Sequence, residues 1–445
     1  MQRKFFKSFF LVCFSFSINA VELTITQPGF HSLGNNLTVL PTGADTVINI
    51  ASSDVIFDLN DYFISQGNAT ANVNCFVINS NLTDVTIQNG TVRSFSGRGV
   101  VVNTLCTRIN INNMRFETCG VGGIAFNGAV GQAITLSDIR DCQFYNCSNG
   151  VTPGNLIDIT SCNQININNI IIADTAALAT ISMINLSSAV LCQLNNIEIV
   201  NSTNAVQFVA IADTSGVENK YSNINIRGNS SGSGNFIGMS MLNLNASTFS
   251  NIAIIANTSS AGSLTGLNLS NADNCRYISS IVEGNVGTTG FTGFSFLNNG
   301  NQNIATDCSV VSNSVTGLNA IATGFNLDNG NREVLKQCVA SNNSSPSGSA
   351  IGMSVQGSGG SSNCIIIDCM FNRNFGVNAV TSIGVVVVAP SASNLFTRTV
   401  AFNNNILAAA QLSGVPAGSV ETPASPETSN INSIISPWSN LALAT

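Results

Sequence analysis

The fold is indicated most clearly by the segment Ile165-Asn166-Ile167-Asn168-Asn169-Ile170-Ile171-Ile172. An Ile-x-Ile alternation stands on each side of the asparagine pair, and such alternation is typical of strands with one buried face. Asparagine tolerates the left-handed backbone conformation that a tight turn requires. The stretch therefore predicts two short strands joined at an asparagine hinge.

This phrase recurs along most of the chain, and the interval between successive hinges is nearly constant, lengthening slightly toward the C-terminus. A second signature, glycine followed by apolar-x-apolar, recurs with it, as in Gly266-Leu267-Asn268-Leu269 and Gly293-Phe294-Ser295-Phe296. A leucine-rich repeat would need its leucine consensus and a helix-forming half, and both are missing. The pattern predicts an all-β, right-handed parallel β-helix of about 12 to 13 coils, each of roughly 28 residues and three strands.

The stretch Ser53-Asp54-Val55-Ile56-Phe57-Asp58-Leu59-Asn60 opens the series. It resembles the opening coil of secreted pectin-lyase-like β-helix proteins, in which S-x-V-x-x-D-L-N-G recurs. Asp61 stands where that pattern has glycine. The resemblance implies a connection with carbohydrates, because the group includes polysaccharide lyases, hydrolases and epimerases, phage tailspikes and surface proteins without known activity.

The ends of the chain differ from the repeat. Residues 1–20 combine a basic start, an apolar run and a small final residue, which predicts a cleaved signal peptide and a secreted, extracellular or cell-envelope protein. Residues 21–60 are predicted to be an N-terminal cap with opening strands, 61–405 the β-helix, and 406–445 a C-terminal cap or tail in which Trp438 packs under the last coil. No apolar run after residue 20 is long enough for a membrane-spanning helix.

The composition limits the classes of partner that the protein is expected to bind. The chain has 15 Lys+Arg against 22 Asp+Glu, a net charge of −7, and 8% charged residues against 44% hydrophobic ones. Nucleic acids and anionic lipids need clustered cations, so we expect neither as a partner. The hydrophobic content also argues against a disordered chain.

Two side-chain ladders are expected. The hinge asparagines should stack from coil to coil, and their amides should bond to one another; these are Asn113, Asn169, Asn196, Asn223 and Asn251. Cys142, Cys308, Cys338 and Cys369 share the inward position after the hinge, which predicts mostly reduced thiols in the core, although a disulfide between neighbouring coils stays open. The segments between the post-hinge strand and the next glycine strand vary in length, as in 227–234 and 341–348, and are read as loops.

In enzymes of the group that the chain resembles, the substrate groove runs along the outer face of the first strand of each coil. The residues expected on this face are Val101, Ala125, Asp158, Asn185, Gln207, Ser240, Asn268, Ser295, Asn326, Ser354 and Val386. A glycoside hydrolase needs two carboxylates, and calcium needs several oxygen ligands with carboxylates among them. The face offers one carboxylate, so we expect no catalytic residue, no metal and no cofactor there.

Uncharged polar side chains can instead bond to sugar hydroxyls. The candidate glycan-binding residues are Asp158, Asn185, Ser240, Asn268, Ser295, Asn326 and Ser354. Solvation of an exposed sheet face is the simpler explanation of the same pattern.

Other candidate groups are weaker. His31, the single histidine, is expected on the surface or in the cap. Asp54, Asp58 and Asp61 are expected to stabilise turns, and a metal site formed by them is the weaker alternative. Arg93 and Arg98 are expected in a solvated loop, with anion binding as the alternative. A further outward row has no acid–base logic: Arg115, Gln143, Ile171, Glu198 and Asn225.

The sequence favours a non-catalytic secreted or cell-surface β-helix protein that binds a glycan or acts as an adhesin. One alternative is a polysaccharide lyase or hydrolase of the pectin-lyase-like group whose catalytic residues lie in loops. The other is a structural surface spacer. A polysaccharide or surface glycan is the expected partner, and the sequence does not fix an oligomeric state.

Overall fold

The computed structural model describes residues 10–12, 18–19, 23–43, 46–68, 72–150, 153–298, 300–356, 363–376, 383–387, 394–402, 412–413 and 441–443. The chain divides into two compact units, residues 1–202 and 203–445. Of the predicted signal peptide, only the strands Phe10–Val12 and Ile18–Asn19 belong to the described residues. Trp438 and most of the predicted C-terminal cap lie outside them.

The first unit consists of strands in three parallel sheets. The hinge sheet holds the strands that flank the asparagine hinge: Phe10–Val12, Ile18–Asn19, Gly29–Leu33, Leu37–Leu40, Val55–Asp58, Phe63–Gln66, Thr83–Arg93, Thr107–Glu117, Ile134–Tyr145, Cys162–Ala173 and Gln193–Val200. The glycine sheet holds the strands expected to line the groove: Leu23–Ile25, Thr46–Ile50, Asn74–Ile78, Arg98–Val102, Gly122–Asn127, Ile157–Thr160 and Ile181–Ser187. The short sheet is represented by Ala176–Ala177.

The second unit has the same three sheets. Its hinge sheet comprises Lys220–Arg227, Thr248–Ile255, Arg276–Ile278, Ile281–Glu283, Ile304–Thr306, Ser309–Val311, Val334–Lys336, Val339–Ser341, Ile365–Ile367, Met370–Asn372, Leu395–Thr397, Val400–Phe402 and Leu441–Leu443. Its glycine sheet comprises Phe208–Thr214, Phe236–Leu242, Ser263–Ser270, Gly290–Leu297, Ile321–Asp328, Ser349–Gln356, Ile383–Val387 and Leu412–Ser413. Its short sheet comprises Thr203–Asn204, Ser230–Ser231, Thr258–Ser259, Val286–Gly287, Ser314–Val315, Ser344–Ser345 and Phe375–Gly376.

Each strand pairs with its counterpart one coil away, which confirms the predicted right-handed parallel β-helix within each unit. Ile139 pairs with Ile167 in the first unit, and Ser309 pairs with Val339 in the second. The alternating apolar residues point inward, and Ile139 and Ile167 are fully buried. The core is therefore a set of ladders in which each side chain packs on its own counterpart.

The hinge ladder is confirmed. Asn113 and Asn169 have φ angles of 50° and 56°, in the left-handed region. The Nδ2 of Asn113 donates to Oδ1 of Asn89 at 3.0 Å, and that of Asn169 donates to Oδ1 of Asp141 at 2.6 Å. In the second unit, Nδ2 of Asn251 donates to Oδ1 of Asn223 at 3.1 Å.

The short sheet differs from the prediction. Ser230–Ser231 pairs with Thr258–Ser259, although the segment 227–234 is read from the sequence as a loop. The two short strands predicted on either side of each hinge lie in one sheet. In the first unit they can form one continuous strand, as in Cys162–Ala173, which contains the hinge residue Asn169. A two-residue strand carries too little alternation to be recognised in the sequence.

A second asparagine ladder, fully inside the second unit, accompanies the short sheet. It consists of Asn229, Asn257, Asn285, Asn313, Asn343 and Asn374, each at most 1% exposed. The Oδ1 of Asn285 accepts both the backbone N–H and Nδ2 of Asn257, at 2.9 and 3.0 Å. The Nδ2 of Asn285 donates to the backbone oxygen of Ile254 at 2.8 Å and to Oδ1 of Asn313 at 2.9 Å. These bonds satisfy polar groups that would otherwise be costly to bury.

The glycine that gives the glycine sheet its signature is required by a close approach. A Cβ atom built on Gly293 would lie 2.4 Å from Cγ1 of Val310 and 2.6 Å from the backbone oxygen of Gly324. The strand therefore passes too close to the post-hinge strand and to the next coil for any side chain.

All twelve described cysteines are buried, and none of them takes part in a disulfide bond. Burial raises the pKa of Cys142 to about 12, so the thiol stays protonated at neutral pH. The prediction of core thiols is therefore confirmed for these residues. In the part of the chain that the structure describes, no helix is long and apolar enough to cross a bilayer.

Candidate functional site

The polar residues predicted to face the groove stand in register in the second unit. Ser240 pairs with Asn268, Asn268 with Ser295, Ser295 with Asn326, and Asn326 with Ser354. We call these five residues the polar row. Val386 is the partner of Ser354 in the following coil.

The sequence predicts Gln207 on the groove face, and this prediction is wrong. The strand of that coil is Phe208–Thr214, and Ala212 pairs with Ser240. Gln207 therefore precedes the strand. The irregular spacing of this coil hides the register, because its glycine signature is missing.

The polar row is only partly open to solvent. Ser240, Asn268 and Asn326 are half-buried, whereas Ser295 and Ser354 are each 4% exposed. Nε2 of Gln356 donates to Oδ1 of Asn326 at 3.2 Å. A ligand on this face would meet the two asparagines and Ser240 first.

In the first unit, Asp158 pairs with Ala125 on one side and Asn185 on the other, as predicted. Its carboxylate is already occupied by three donors. Nη2 of Arg98 donates to Oδ2 at 3.3 Å, while Nδ2 of Asn185 and Nδ2 of Asn155 donate to Oδ1 at 2.8 and 3.2 Å. Asp158 therefore holds the ends of three coils together.

Arg98 completes this network from the strand Arg98–Val102. Its side chain is 14% exposed, and Nη1 donates to the backbone oxygen of Asn155 at 2.9 Å. Burial lowers the pKa of Arg98, and the nearby Asp158 carboxylate opposes that effect. The expectation that Arg98 lies in a solvated loop is wrong, because the guanidinium is buried against Asp158.

The acidic group at the opening of the chain is dispersed. Asp58 accepts from the backbone N–H of Asn60 at 2.7 Å, Nε2 of Gln88 at 2.8 Å and Nδ2 of Asn89 at 3.0 Å. These bonds make Asp58 a turn-stabilising carboxylate. Within the described residues, no three His, Cys, Asp or Glu side chains are grouped so that they could hold a metal ion. His31 Nε2 lies 3.3 Å from the backbone oxygen of Gln27.

Asp61 lines a cleft instead. This cleft, which we call the hinge cleft, has a volume of about 220 Å³ and lies on the outer side of the hinge sheet in the first unit. Its polar lining residues are Asp61, Thr91, Asn113, Arg115, Asp141 and Gln143. Arg115 pairs with Glu117, and its guanidinium carbon lies 4.5 Å from the ring centroid of Tyr145.

Two carboxyl groups are buried in the second unit, and the sequence reading missed both. Glu333 is fully buried, and Asn303 donates to its Oε1 from Nδ2 and to its Oε2 from the backbone N–H, both at 3.1 Å. Burial raises the pKa of Glu333 to about 8, against the lowering effect of these bonds. Asn303 occupies the corresponding turn one coil earlier. An alignment of the coils therefore shows a glutamate at a position where the preceding coil has an asparagine.

Asp213, also fully buried, lies at the end of the glycine-sheet strand Phe208–Thr214. Its Oδ2 accepts the Tyr221 hydroxyl at 2.5 Å and Nδ2 of Asn219 at 2.8 Å. Burial raises the pKa of Asp213 to about 6, and the two hydrogen bonds oppose that effect. A Cβ on Gly216 would lie 2.2 Å from Oδ2 of Asp213, which shows how tightly the carboxylate is enclosed.

A scan against protein-family models finds no match, and neither does a search of the curated proteins. Solved structures with a similar course of the chain include tailspike protein 3 of bacteriophage CBA120, at 11% identity, with 79% of this chain and 55% of that chain covered and a TM-score of 0.45. This chain thus spans about half the length of that tailspike.

Two further similar structures are PfbA, a surface adhesin of Streptococcus pneumoniae, and the tailspike of E. coli bacteriophage HK620 in complex with a pentasaccharide. For PfbA the identity is 12%, the coverage 75% of this chain and 87% of that chain, and the TM-score 0.39. For the HK620 tailspike the values are 10%, 88%, 73% and 0.35. These values are too low to carry an inference about what this chain binds or does, so its function is inferred from its own residues.

Proposed function

We propose that the protein is a non-catalytic, secreted or cell-surface β-helix protein that binds an uncharged glycan along the polar row of its second unit. The observation that carries the proposal is the register of the row, in which Ser240, Asn268 and Asn326 repeat hydroxyl and amide groups on one face. Secretion is part of the proposal and rests on the basic and apolar composition of residues 1–20.

Register matters because it sets a regular spacing. Neighbouring parallel strands are about 4.8 Å apart, so Ser240 and Asn268 lie one strand spacing apart along the coil axis. Asn326 lies two spacings beyond Asn268, on the far side of the buried Ser295. A polysaccharide also repeats its hydroxyls at a fixed interval, and several weak contacts along one chain give a higher overall affinity than any single contact. Amide and hydroxyl groups both donate and accept, as sugar hydroxyls do.

Catalysis on the groove face is disfavoured by the state of its one carboxylate. Glycoside hydrolysis needs a pair of carboxyl groups about 5 to 9.5 Å apart, one of them free to exchange a proton. Asp158 is held by Arg98, Asn155 and Asn185. Both of its oxygens already accept hydrogen bonds from protein donors, and its neighbours on the face, Ala125 and Asn185, carry no carboxyl group.

The test uses the full chain and a panel of neutral and uronic-acid polysaccharides, with bound protein and new reducing ends scored on the same samples. We expect retention on a neutral polysaccharide without cleavage. Asn268→Leu and Asn326→Leu together should lower the affinity by about tenfold, since two polar contacts are replaced by apolar groups.

A matched pair of serine variants separates the row from general surface effects. Ser240 and Ser250 are both half-buried, but Ser240 lies in the polar row and Ser250 lies in the hinge sheet. Ser240→Leu should weaken retention, and Ser250→Leu should leave it unchanged. Release of new chain ends would overturn the non-catalytic proposal, and a lack of retention on every polysaccharide would leave the structural spacer.

A further inference from the structure

We propose that the hinge cleft of the first unit is a second carbohydrate site, which holds a single uncharged sugar ring. The ligand class rests on the proposed function, whereas the site itself is separate from the polar row. The cleft belongs to residues 1–202, and every member of the row belongs to residues 203–445.

The size of the cleft limits the ligand. Its volume is about 220 Å³, and clefts that enclose drug-sized molecules have volumes of about 300 to 1,000 Å³. An open cleft of this size accommodates about one sugar ring with its hydroxyl groups. The rest of the polymer would lie across the outer face of the hinge sheet.

The cleft offers donors and acceptors side by side. Arg115 supplies N–H donors, Asp61 and Asp141 supply carboxylate acceptors, and the side chains of Thr91, Asn113 and Gln143 can do both. A hydroxyl group is itself both donor and acceptor. A mixed set of this kind therefore fits a ligand with several hydroxyls better than one with a single charged group.

Two of these groups are held in place before any ligand binds. Asp141 Oδ1 accepts from Nδ2 of Asn169 at 2.6 Å. Arg115 is fixed between its ion pair with Glu117 and the ring of Tyr145. Fixed side chains lose little conformational entropy on binding, which favours affinity for a small ligand.

The net charge of the hinge cleft disfavours acidic sugars. Glu117 balances the guanidinium of Arg115, so Asp61 and Asp141 leave an excess of negative charge at the cleft. A uronate or sulfate group would be repelled by these carboxylates. We therefore expect a neutral sugar, such as a hexose or an N-acetylated hexosamine.

The identity of Asp61 adds a separate reason. Asp61 has a φ of 63°, in the left-handed region that glycine occupies most readily. Glycine would adopt this conformation without strain. An aspartate at this position gives the turn no conformational advantage, whereas it places a carboxylate at the cleft.

The experiment measures binding of cellohexaose, maltohexaose, chitohexaose and hexagalacturonic acid to the full chain by isothermal titration calorimetry. Gln143→Trp fills the cleft from the outer face and should lower the affinity for the bound neutral hexasaccharide by about tenfold or more. Glu198→Trp is the matched control, because Glu198 lies in the same outward row two coils away and does not line the cleft.

A second pair of variants removes charge without changing the backbone. Asp61→Asn and Asp141→Asn keep a residue type that tolerates positive φ. Each should weaken binding by about threefold to tenfold, since a carboxylate accepts a stronger hydrogen bond than an amide oxygen. Unchanged affinity in Gln143→Trp, or equal affinity for hexagalacturonic acid, would overturn the proposal.

Hydrogen–deuterium exchange separates the failure of this site from the failure of the polar row. A neutral hexasaccharide at the cleft should protect the strands Thr107–Glu117 and Ile134–Tyr145, whereas binding at the row should protect Phe236–Leu242 and Ser263–Ser270. Protection of the row alone would overturn the cleft site and leave the proposed function. Protection of the cleft alone would support the site and overturn the row.

Discussion

The two units follow the same coil but place their asparagine ladders differently. In the first unit the amide bonds lie at the exposed hinge, as between Asn169 and Asp141. In the second unit a further ladder runs from Asn229 to Asn374 inside the core. The same residue type therefore serves as a surface turn in one place and as a buried hydrogen-bonded stack in the other.

From this difference we expect burial to determine how much a ladder contributes to the free energy of unfolding. An exposed amide exchanges a bond to water for a bond to its neighbour, and the net gain is small. A buried amide cannot bond to water when its protein partner is removed, so the unpaired group retains its full desolvation cost. Four substitutions test this contrast, in order of decreasing expected effect.

Asn285→Ala removes the middle of the buried ladder. Asn257 would lose the acceptor of two N–H groups, and the backbone oxygen of Ile254 would lose its donor. We expect a loss of about 5 kcal/mol in the free energy of unfolding, because each of these buried groups costs about 1–3 kcal/mol when unpaired. Urea unfolding followed by circular dichroism measures the effect, and a loss below about 1 kcal/mol would contradict the contrast.

The pH dependence of stability tests whether the buried carboxyl group of Glu333 is protonated in the folded protein. Because burial raises its pKa from 4.5 to about 8, the folded state binds the proton more tightly than the unfolded state. The contribution of this shift to the free energy of unfolding, on the order of 5 kcal/mol, is fully present below the unfolded pKa and is lost as the pH rises through the folded pKa.

The measurement is the melting temperature of the protein and of Glu333→Gln between about pH 5 and pH 9. Asp273, Cys275, Tyr277 and Cys364 interact electrostatically with Glu333, and Asp213 has its own raised pKa of about 6. Glu333→Gln should be less stable at pH 5 and should lack the decline that Glu333 causes up to about pH 8, while the decline that Asp213 causes below about pH 6 persists. An equal decline in both proteins would show that Glu333 is not the group responsible.

Arg98→Met tests a partly buried polar contact of the first unit, the ion pair of Arg98 with Asp158. The substitution leaves Asp158 without its cation and the backbone oxygen of Asn155 without its donor. We expect a loss of about 2 kcal/mol in the free energy of unfolding, since the partly buried Asp158 carboxylate loses its cation but keeps its two amide donors. Arg93→Met is a useful control, because Arg93 lies over the ring of Phe63 rather than beside Asp158. Equal losses in the two variants would show that the ion pair has no special weight.

Asn169→Ala removes one rung of the exposed hinge ladder and should have the smallest effect. The expected loss is about 1 kcal/mol, most of it the cost of alanine in the left-handed conformation. Asn169→Gly restores that conformation and should be close to the original stability. A loss in Asn169→Gly as large as that in Asn285→Ala would remove the distinction between exposed and buried ladders.

The coil could be predicted from the sequence because its signals repeat. The Ile-x-Ile alternation around Asn169 and the glycine before Phe294 fix the inward positions, and the structure places these residues as expected. The short sheet could not be predicted, since two residues such as Ser230 and Ser231 form a strand only because a neighbouring coil offers a matching pair of residues. Its stability comes from tertiary pairing and not from local propensity.

The candidate sites were predictable to different degrees. The register of Asn268 and Asn326 follows from the repeat, but the 4% exposure of Ser295 depends on side chains from neighbouring coils. The hinge cleft joins Asp61 to Asp141, which lie far apart in the sequence, because the coils between them stack. The repeat already places Arg115 and Gln143 in one outward row, whereas their meeting with Asp61 in one cleft is seen only in the structure.

The buried thiols can be used to follow the local opening of the coils. Seven of them lie between Cys75 and Cys192 in the first unit, and five lie between Cys275 and Cys369 in the second. A thiol reagent reaches each sulfur only when the coil around it opens, so the order in which masses shift on labelling maps the order in which coils separate. In a repeat protein, where local opening can begin at many points, such a map distinguishes fraying from one end from melting in the middle.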